Sequence, residues 1–162
     1  MHIRVHPPVT VLYSAHQVTI KQLGDFGPLI KELYAEAAKN DAFVSGPLYY
    51  IYHGADGNPD TIFTLEVAIP VQGNISTSKF AVKHLTPFKA ITYRHEGPWE
   101  QLPGSYIQIM KYVDENKIPL NEECRELYFN MDFENPENNI TEVQVGVFES
   151  ALKQPLPRLQ SA

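Results

Sequence analysis

The chain writes one pattern twice, and a chain written twice folds as two similar halves related by a pseudo-twofold axis. Thr64-Leu65-Glu66-Val67-Ala68-Ile69-Pro70-Val71 and Ile140-Thr141-Glu142-Val143-Gln144-Val145-Gly146-Val147 share an alternation of apolar and other residues. Each carries one glutamate at the same place, and Glu66 and Glu142 lie 76 residues apart. Alternation is the period of a β-strand. The same offset recurs upstream. Phe26, Ile30, Leu33 and Ala37 form a stripe of helical period, and Leu102, Tyr106, Ile109 and Val113 match it position for position. An axis between such halves leaves a crevice, and crevices take small molecules.

Around these anchors each half reads βαββ. Residues 3–19 alternate like strands, bent at Pro7 and Pro8, and a helix is predicted from Lys21 to Lys39. Leu48 to His53 is an aromatic strand, Ala55 to Pro59 a turn cluster and Ile62 to Val71 the second strand. Residues 72–79 form a polar linker, after which the pattern restarts. Phe80 to His95 is extended and bent at Pro87, Gly97-Pro98 turns, and a helix runs to Asn116. Leu127 to Met131 and Ile140 to Phe148 close the second half as strands. Leu48-Tyr49-Tyr50 aligns with Leu127-Tyr128-Phe129 at an offset of 79. The fold class is α+β, with one antiparallel sheet, two helices on one face and a ligand crevice on the other. One domain is expected over 1–149, with halves of about 1–75 and 80–149, followed by a loose tail at 150–162.

The formal net charge of −6 opposes direct nucleic-acid binding, which calls for a basic face. Nothing approaches the eighteen apolar residues of a membrane span, and no signal peptide is evident, so the expected location is the cytoplasm. Cys124 stands alone, which forbids an internal disulfide. The histidines lack ligand spacing, so neither a metal nor a cofactor is expected. His95-Glu96 reads as a strand end, and no nucleophile elbow or phosphate loop is present. Nine tyrosines and eight phenylalanines suit strands, yet they also suit an aromatic pocket.

Strand parity decides where the glutamates point. Phe63, Leu65, Val67, Ile69 and Val71 share an apolar face that packs under the helices, as do Thr141, Val143, Val145 and Val147. Glu66 and Glu142 therefore leave the helix-covered face. Either that face is solvated, or a carboxylate there sits in a concave aromatic pocket, where a cationic ligand would pair it.

Ile91-Thr92-Tyr93-Arg94-His95-Glu96-Gly97-Pro98-Trp99-Glu100, then the helix, then Glu126-Leu127-Tyr128 and Thr141-Glu142-Val143-Gln144-Val145 resemble the GyrI-like effector-binding domains. These include the multidrug-binding domains of MerR-type and AraC-type regulators. The resemblance implies a duplicated βαββ fold and a pocket in the crevice between the halves. It implies an acidic residue of the last strand, here Glu142, that meets lipophilic cations. It also implies an aromatic lining from Trp99, Tyr128, Tyr93 and Tyr50, with Glu66 as the first-half counterpart. The pocket pattern begins almost at Met1, so a stand-alone member without a DNA-binding domain is expected. Three roles follow: a binder of lipophilic, often cationic small molecules; a hydrolase of cyclopropane-bearing compounds using Glu142, Glu66 or Tyr128; or a gyrase-inhibitor-like module with a protein partner.

Overall fold

The computed structural model describes residues 1–148; the tail assigned to 150–162 lies outside the described residues. Nine strands form one antiparallel sheet: β1 (His2–His6), β2 (Val9–Val18), β3 (Phe43–Val44), β4 (Leu48–His53), β5 (Phe63–Gln72), β6 (Ala81–Leu85), β7 (Phe88–Glu96), β8 (Leu120–Asn130) and β9 (Ile140–Val147). Two helices accompany them, α1 (Gly27–Lys39) and α2 (Leu102–Asn116). The strand order is β1-β7-β9-β8-β4-β5-β2-β6, with the short β3 pairing beside β5. This order is itself a palindrome of the two halves: β8 answers β4, β9 answers β5, β7 answers β2, and β1 answers β6.

The edge strands are exchanged between the halves. β1 pairs with β7 and β6 pairs with β2. Yet β1 runs into β2 through Pro7-Pro8 alone, and β6 runs into β7 through Thr86-Pro87 alone. Links this short bring the two ends of the sheet together, so the sheet curls toward its helix-free side. Proline suits these corners, since it donates no ladder hydrogen bond.

Both helices cover the opposite, outer side. α1 packs Leu33 and Ala37 onto Leu65, Val67 and Ile69, all of them essentially sealed from water. α2 packs Ile109 and Val113 onto Ile91, Val143 and Val145. Full burial of each such side chain contributes about 1.5–3 kcal/mol. The expected apolar parity of β5 and β9 is thus the parity of the fold.

Three local differences from the sequence reading have clear causes. The first helix is preceded by a 3-10 segment, Ile20–Phe26, and becomes α-helical only at Gly27. Gly24 and Gly27 are weak helix formers, and Pro28 suits the first turn. β8 starts seven residues before Leu127, because the acidic stretch Glu122 to Glu126 is strand and not linker. A register shift between Leu120 and Cys124, with Glu122 at φ +68°, bends the strand there. The middle strands also align at 76 and not at 79. An odd offset would place Leu127 on the face opposite Leu48, whereas β4–β8 pairing puts Leu48 beside Tyr128, Tyr50 beside Glu126 and Tyr52 beside Cys124. With 76, Tyr50 and Glu126 are counterparts as well as direct cross-strand partners. The pseudo-twofold axis therefore passes between them.

Candidate functional site

Glu126 lies on the helix-covered face, at the seam where β4 meets β8, and is only 5% exposed. Its neighbours follow from parity: Cys124 and Tyr128 precede and follow it on the same face of β8, and Tyr50 and Tyr52 face it from β4. Three phenols converge on the carboxylate. Tyr52 donates to Oε2 at 3.0 Å, Tyr106 of α2 donates to Oε1 at 2.6 Å, and Tyr128 donates to Oε2. Tyr106 is part of the stripe that carries α2, so the helix delivers its hydroxyl over the seam. Having given its proton to Glu126, Tyr106 can only accept from the Cys124 thiol, 3.3 Å away.

Burial is the largest cause holding these phenols protonated, and the Glu126 charge adds to it. Tyr52, Tyr106 and Tyr128 are all raised well above the usual tyrosine value. Tyr50, whose hydroxyl donates to the Leu23 carbonyl at 3.1 Å, is pushed up to about 12 by the same two causes. Burial and Glu126 also push the Cys124 thiol up to about 12, which makes it an inert thiol at neutral pH.

A band of rings crosses the seam above the carboxylate. Phe26 meets Tyr50 at 6.3 Å, Tyr50 meets Tyr128 at 5.2 Å, Tyr128 meets Trp99 at 5.8 Å, and Trp99 meets Phe133 at 5.5 Å between centroids. Most of these contacts are edge-to-face, the favoured geometry for aromatic quadrupoles. The band ends in the open: Phe133 is 78% exposed. The Trp99 indole N–H is buried yet has no acceptor among the described residues. Indole nitrogens in packed interiors normally find one.

The turn that presents Trp99 is held by His95. Its Nε2 donates to the Pro98 carbonyl at 2.9 Å, which leaves Nδ1 to accept from the Ser105 hydroxyl at 2.7 Å. Gly97, at φ +114°, supplies the left-handed turn and donates to the Asn139 carbonyl. His95 is thus a clamp between the β7 end and α2, with both ring nitrogens engaged.

The structure brings Tyr50, Tyr128 and Trp99 together on the helix-covered face. Tyr93 shares that face, but its hydroxyl donates to Gln108 of α2 at 3.1 Å. Glu66 and Glu142 lie on the other side of the sheet, away from those rings. Glu66 is 4% exposed and is bonded by His53 and Lys83. Burial alone would raise its carboxyl, yet the hydrogen bonds and charges of these two partners hold it below the usual glutamate value. Glu142 accepts from Gln144 at 2.8 Å and lies 3.9 Å from His6. Burial lowers His6 against the pull of Glu142, so the histidine is neutral near pH 7. Glu142 also lines a shallow hollow of about 270 Å³ with Arg94, Phe129 and Ile140. Gly146 opens no space on that face, since a Cβ there would meet Asn121 Oδ1 at 2.1 Å.

Glu126, Tyr52 and Tyr106 were absent from the expected site. The available signal was parity. Glu126 and Tyr128 are two apart on one strand, and the 76-residue offset places Tyr50 opposite Glu126.

Among the described residues no helix is long and apolar enough to cross a membrane. No curated protein sequence matches this chain. Solved structures share its fold. The C-terminal domain of EcmrR superposes with a TM-score of 0.76 at 20% identity, over 91% of this chain and 96% of that one. In a cryo-EM complex with DNA, the longer EcmrR chain is covered over 57% of its length, at 19% identity and a TM-score of 0.77. SAV2435 bound to tetraphenylphosphonium gives 0.60 at 14% identity, covering 91% of this chain and 93% of that one. A hydrolase encoded by lin2189 from Listeria innocua gives 0.63 at 13% identity, covering 91% of each chain. The profile of the GyrI-like small molecule binding domain matches residues 1–147, and with that match, on a doubled sheet whose seam holds a carboxylate among rings, the chain belongs to the GyrI-like family.

Proposed function

We propose that the protein binds lipophilic cations at Glu126, under the ring band of Tyr50, Tyr128, Trp99 and Phe133. One observation carries this reading: among the described residues the buried carboxylate is surrounded by three neutral donors and no cation. Hydroxyls satisfy its lone pairs but leave its charge uncancelled. A cation whose charge is spread over apolar groups supplies what is missing, and it is drawn both by the carboxylate and by the aromatic faces. Entry runs past Trp99 and Phe133, because Phe133 is open to water and the Trp99 N–H forfeits no hydrogen bond when it moves. Loose shape reading with enforced charge sign gives broad specificity. SAV2435, which shares the fold, has been captured with such a cation, tetraphenylphosphonium.

Trp99 is the only tryptophan, so its fluorescence reports the site directly. Tetraphenylphosphonium quenches it saturably. Glu126→Gln weakens that binding by about 10-fold or more, the loss expected for one charge pair at intermediate dielectric. Neutral triphenylphosphine oxide binds both forms alike. Glu142→Gln leaves the cation affinity unchanged. Equal affinity in wild type and Glu126→Gln ends the reading, and a loss confined to Glu142→Gln moves the site to the helix-free face.

A hydrolytic reading rests on the same cluster. In that reading Glu126 takes a proton from water attacking a strained ring, the Tyr128 hydroxyl protonates the departing ring carbon, and Glu126 returns the proton to Tyr128. The fold shared with the lin2189 hydrolase favours testing it. Product formed in excess of protein from a cyclopropane-bearing electrophile supports turnover; protection of one equivalent rejects it.

A further inference from the structure

The helix-free side of the sheet holds a cavity of about 480 Å³ where the two exchanged edges converge. Its polar wall is Arg125, Lys89, His84, Asn121, Thr86 and Glu123, the last held by Arg125, and its apolar wall includes Leu85 and Phe88. Arg125 is the unusual member. Its side chain is 5% exposed, and its guanidinium carbon sits 3.8 Å from the Phe88 ring centroid. A guanidinium carries five N–H donors. Among the described residues only Glu123 accepts from it, at 3.2 Å through Nη2, and the buried Nε has no acceptor.

The charges around it do not close the account for Arg125's donors. Glu123 is shared with His53, whose Nδ1 lies 3.9 Å away, and His53 also bonds Glu66, which Lys83 neutralises. Lys83 thus answers Glu66 and Arg125 answers Glu123. Lys89 stands on the cavity wall in addition to these pairs, and so does His84, whose Nδ1 is hydrogen-bonded to the Thr10 hydroxyl at 2.6 Å. A locally positive hollow in a chain of net charge −6 is a site for an anion. The Phe88 ring supports the guanidinium, and its N–H groups not given to Glu123 are the donors that a carboxylate would match.

We propose that this cavity is a second ligand site, separate from Glu126, that binds a small organic carboxylate with an apolar body. The carboxylate lies against the remaining N–H groups of Arg125, with Lys89 and His84 at its flank. The hydrocarbon part rests on Leu85 and Phe88.

Calorimetric titration with 2-naphthoate tests this on the whole chain. Saturable binding is expected in wild type. Neutral 2-naphthamide binds at least about 10-fold more weakly, since it carries no charge for the guanidinium. Arg125→Gln weakens 2-naphthoate by about 10-fold or more, and Lys89→Gln by about 2- to 5-fold with the melting temperature unchanged. Glu126→Gln binds 2-naphthoate as wild type does. Equal binding of acid and amide overturns the proposal, as does loss of 2-naphthoate binding in Glu126→Gln. Should Arg125→Gln fail to fold, the acid–amide comparison and Lys89→Gln decide. No saturable binding of 2-naphthoate to wild type overturns it outright.

Discussion

Two buried glutamates, one on each side of the same sheet, solve the same problem in different ways. Glu66 is 4% exposed and held by Lys83 and His53. Glu126 is 5% exposed and held by Tyr52, Tyr106 and Tyr128. Both oxygens of each carboxylate accept a hydrogen bond, so neither is an orphan in hydrogen bonding. They differ in charge. A lysine cancels the charge of Glu66, while phenols held neutral by burial leave that of Glu126 standing. Burial and hydrogen bonding thus do not distinguish the two carboxylates; the formal charge of their donors does. The internally paired residue belongs to the architecture of the curled sheet, and the proposed function assigns the other to a ligand.

The sharpest way to break this contrast is to remove each carboxylate in turn. Glu126→Leu leaves three buried phenols without their acceptor, and each orphaned donor costs about 1–3 kcal/mol. A loss of about 3 kcal/mol or more in urea unfolding is expected. Glu66→Leu leaves Lys83 and His53, whose side chains are 33% and 39% exposed and can turn back to water. About 1–2 kcal/mol is expected there. If Glu126→Leu costs no more than Glu66→Leu, the three phenols find water or other acceptors once the carboxylate is gone.

A smaller effect follows from acid titration. Because Glu66 is held below its ordinary value of 4.5, its pairing stabilises the fold above that pH. That contribution is lost as pH falls through the lower folded-state value. Lys83→Met removes one cause of the depression, so its stability falls less steeply as pH drops below 4.5 than that of wild type. Parallel acid limbs in the two proteins show that Lys83 does not hold the carboxylate. Cation binding at Glu126, read from Trp99, stays unchanged in Lys83→Met.

The smallest expected change is chemical. Cys124, pushed up to about 12 beside Glu126, reacts with iodoacetamide at pH 8 on the order of 100-fold more slowly than a free thiol. Glu126→Gln removes one of the two main causes and speeds that reaction several-fold. Unaltered labelling in Glu126→Gln would show that burial alone protects the thiol.

Duplication and strand parity were legible because they are local. Leu65, Val67 and Ile69 alternate with Glu66 and Ala68 whatever lies beyond the strand, so the core face of β5 could be read directly. Glu126 escaped for a local reason as well. It ends the acidic run Glu122-Glu123-Cys124-Arg125-Glu126, which has the composition of a solvated linker. Only the β4 and β9 ladders on either side turn that run into a central strand, with Glu123 and Arg125 on one face and Cys124 and Glu126 on the other.

The sequence by itself determined a doubled α+β chain, the apolar face of its repeated strands and the side on which Glu66 and Glu142 emerge, because these depend on periods of two and of three to four residues. The tertiary structure decided which carboxylate meets which donors. Tyr52, Tyr106 and Glu126 are separated by up to 74 residues. Their meeting depends on register across the seam and on where a helix lays its hydroxyl, and no local period encodes either.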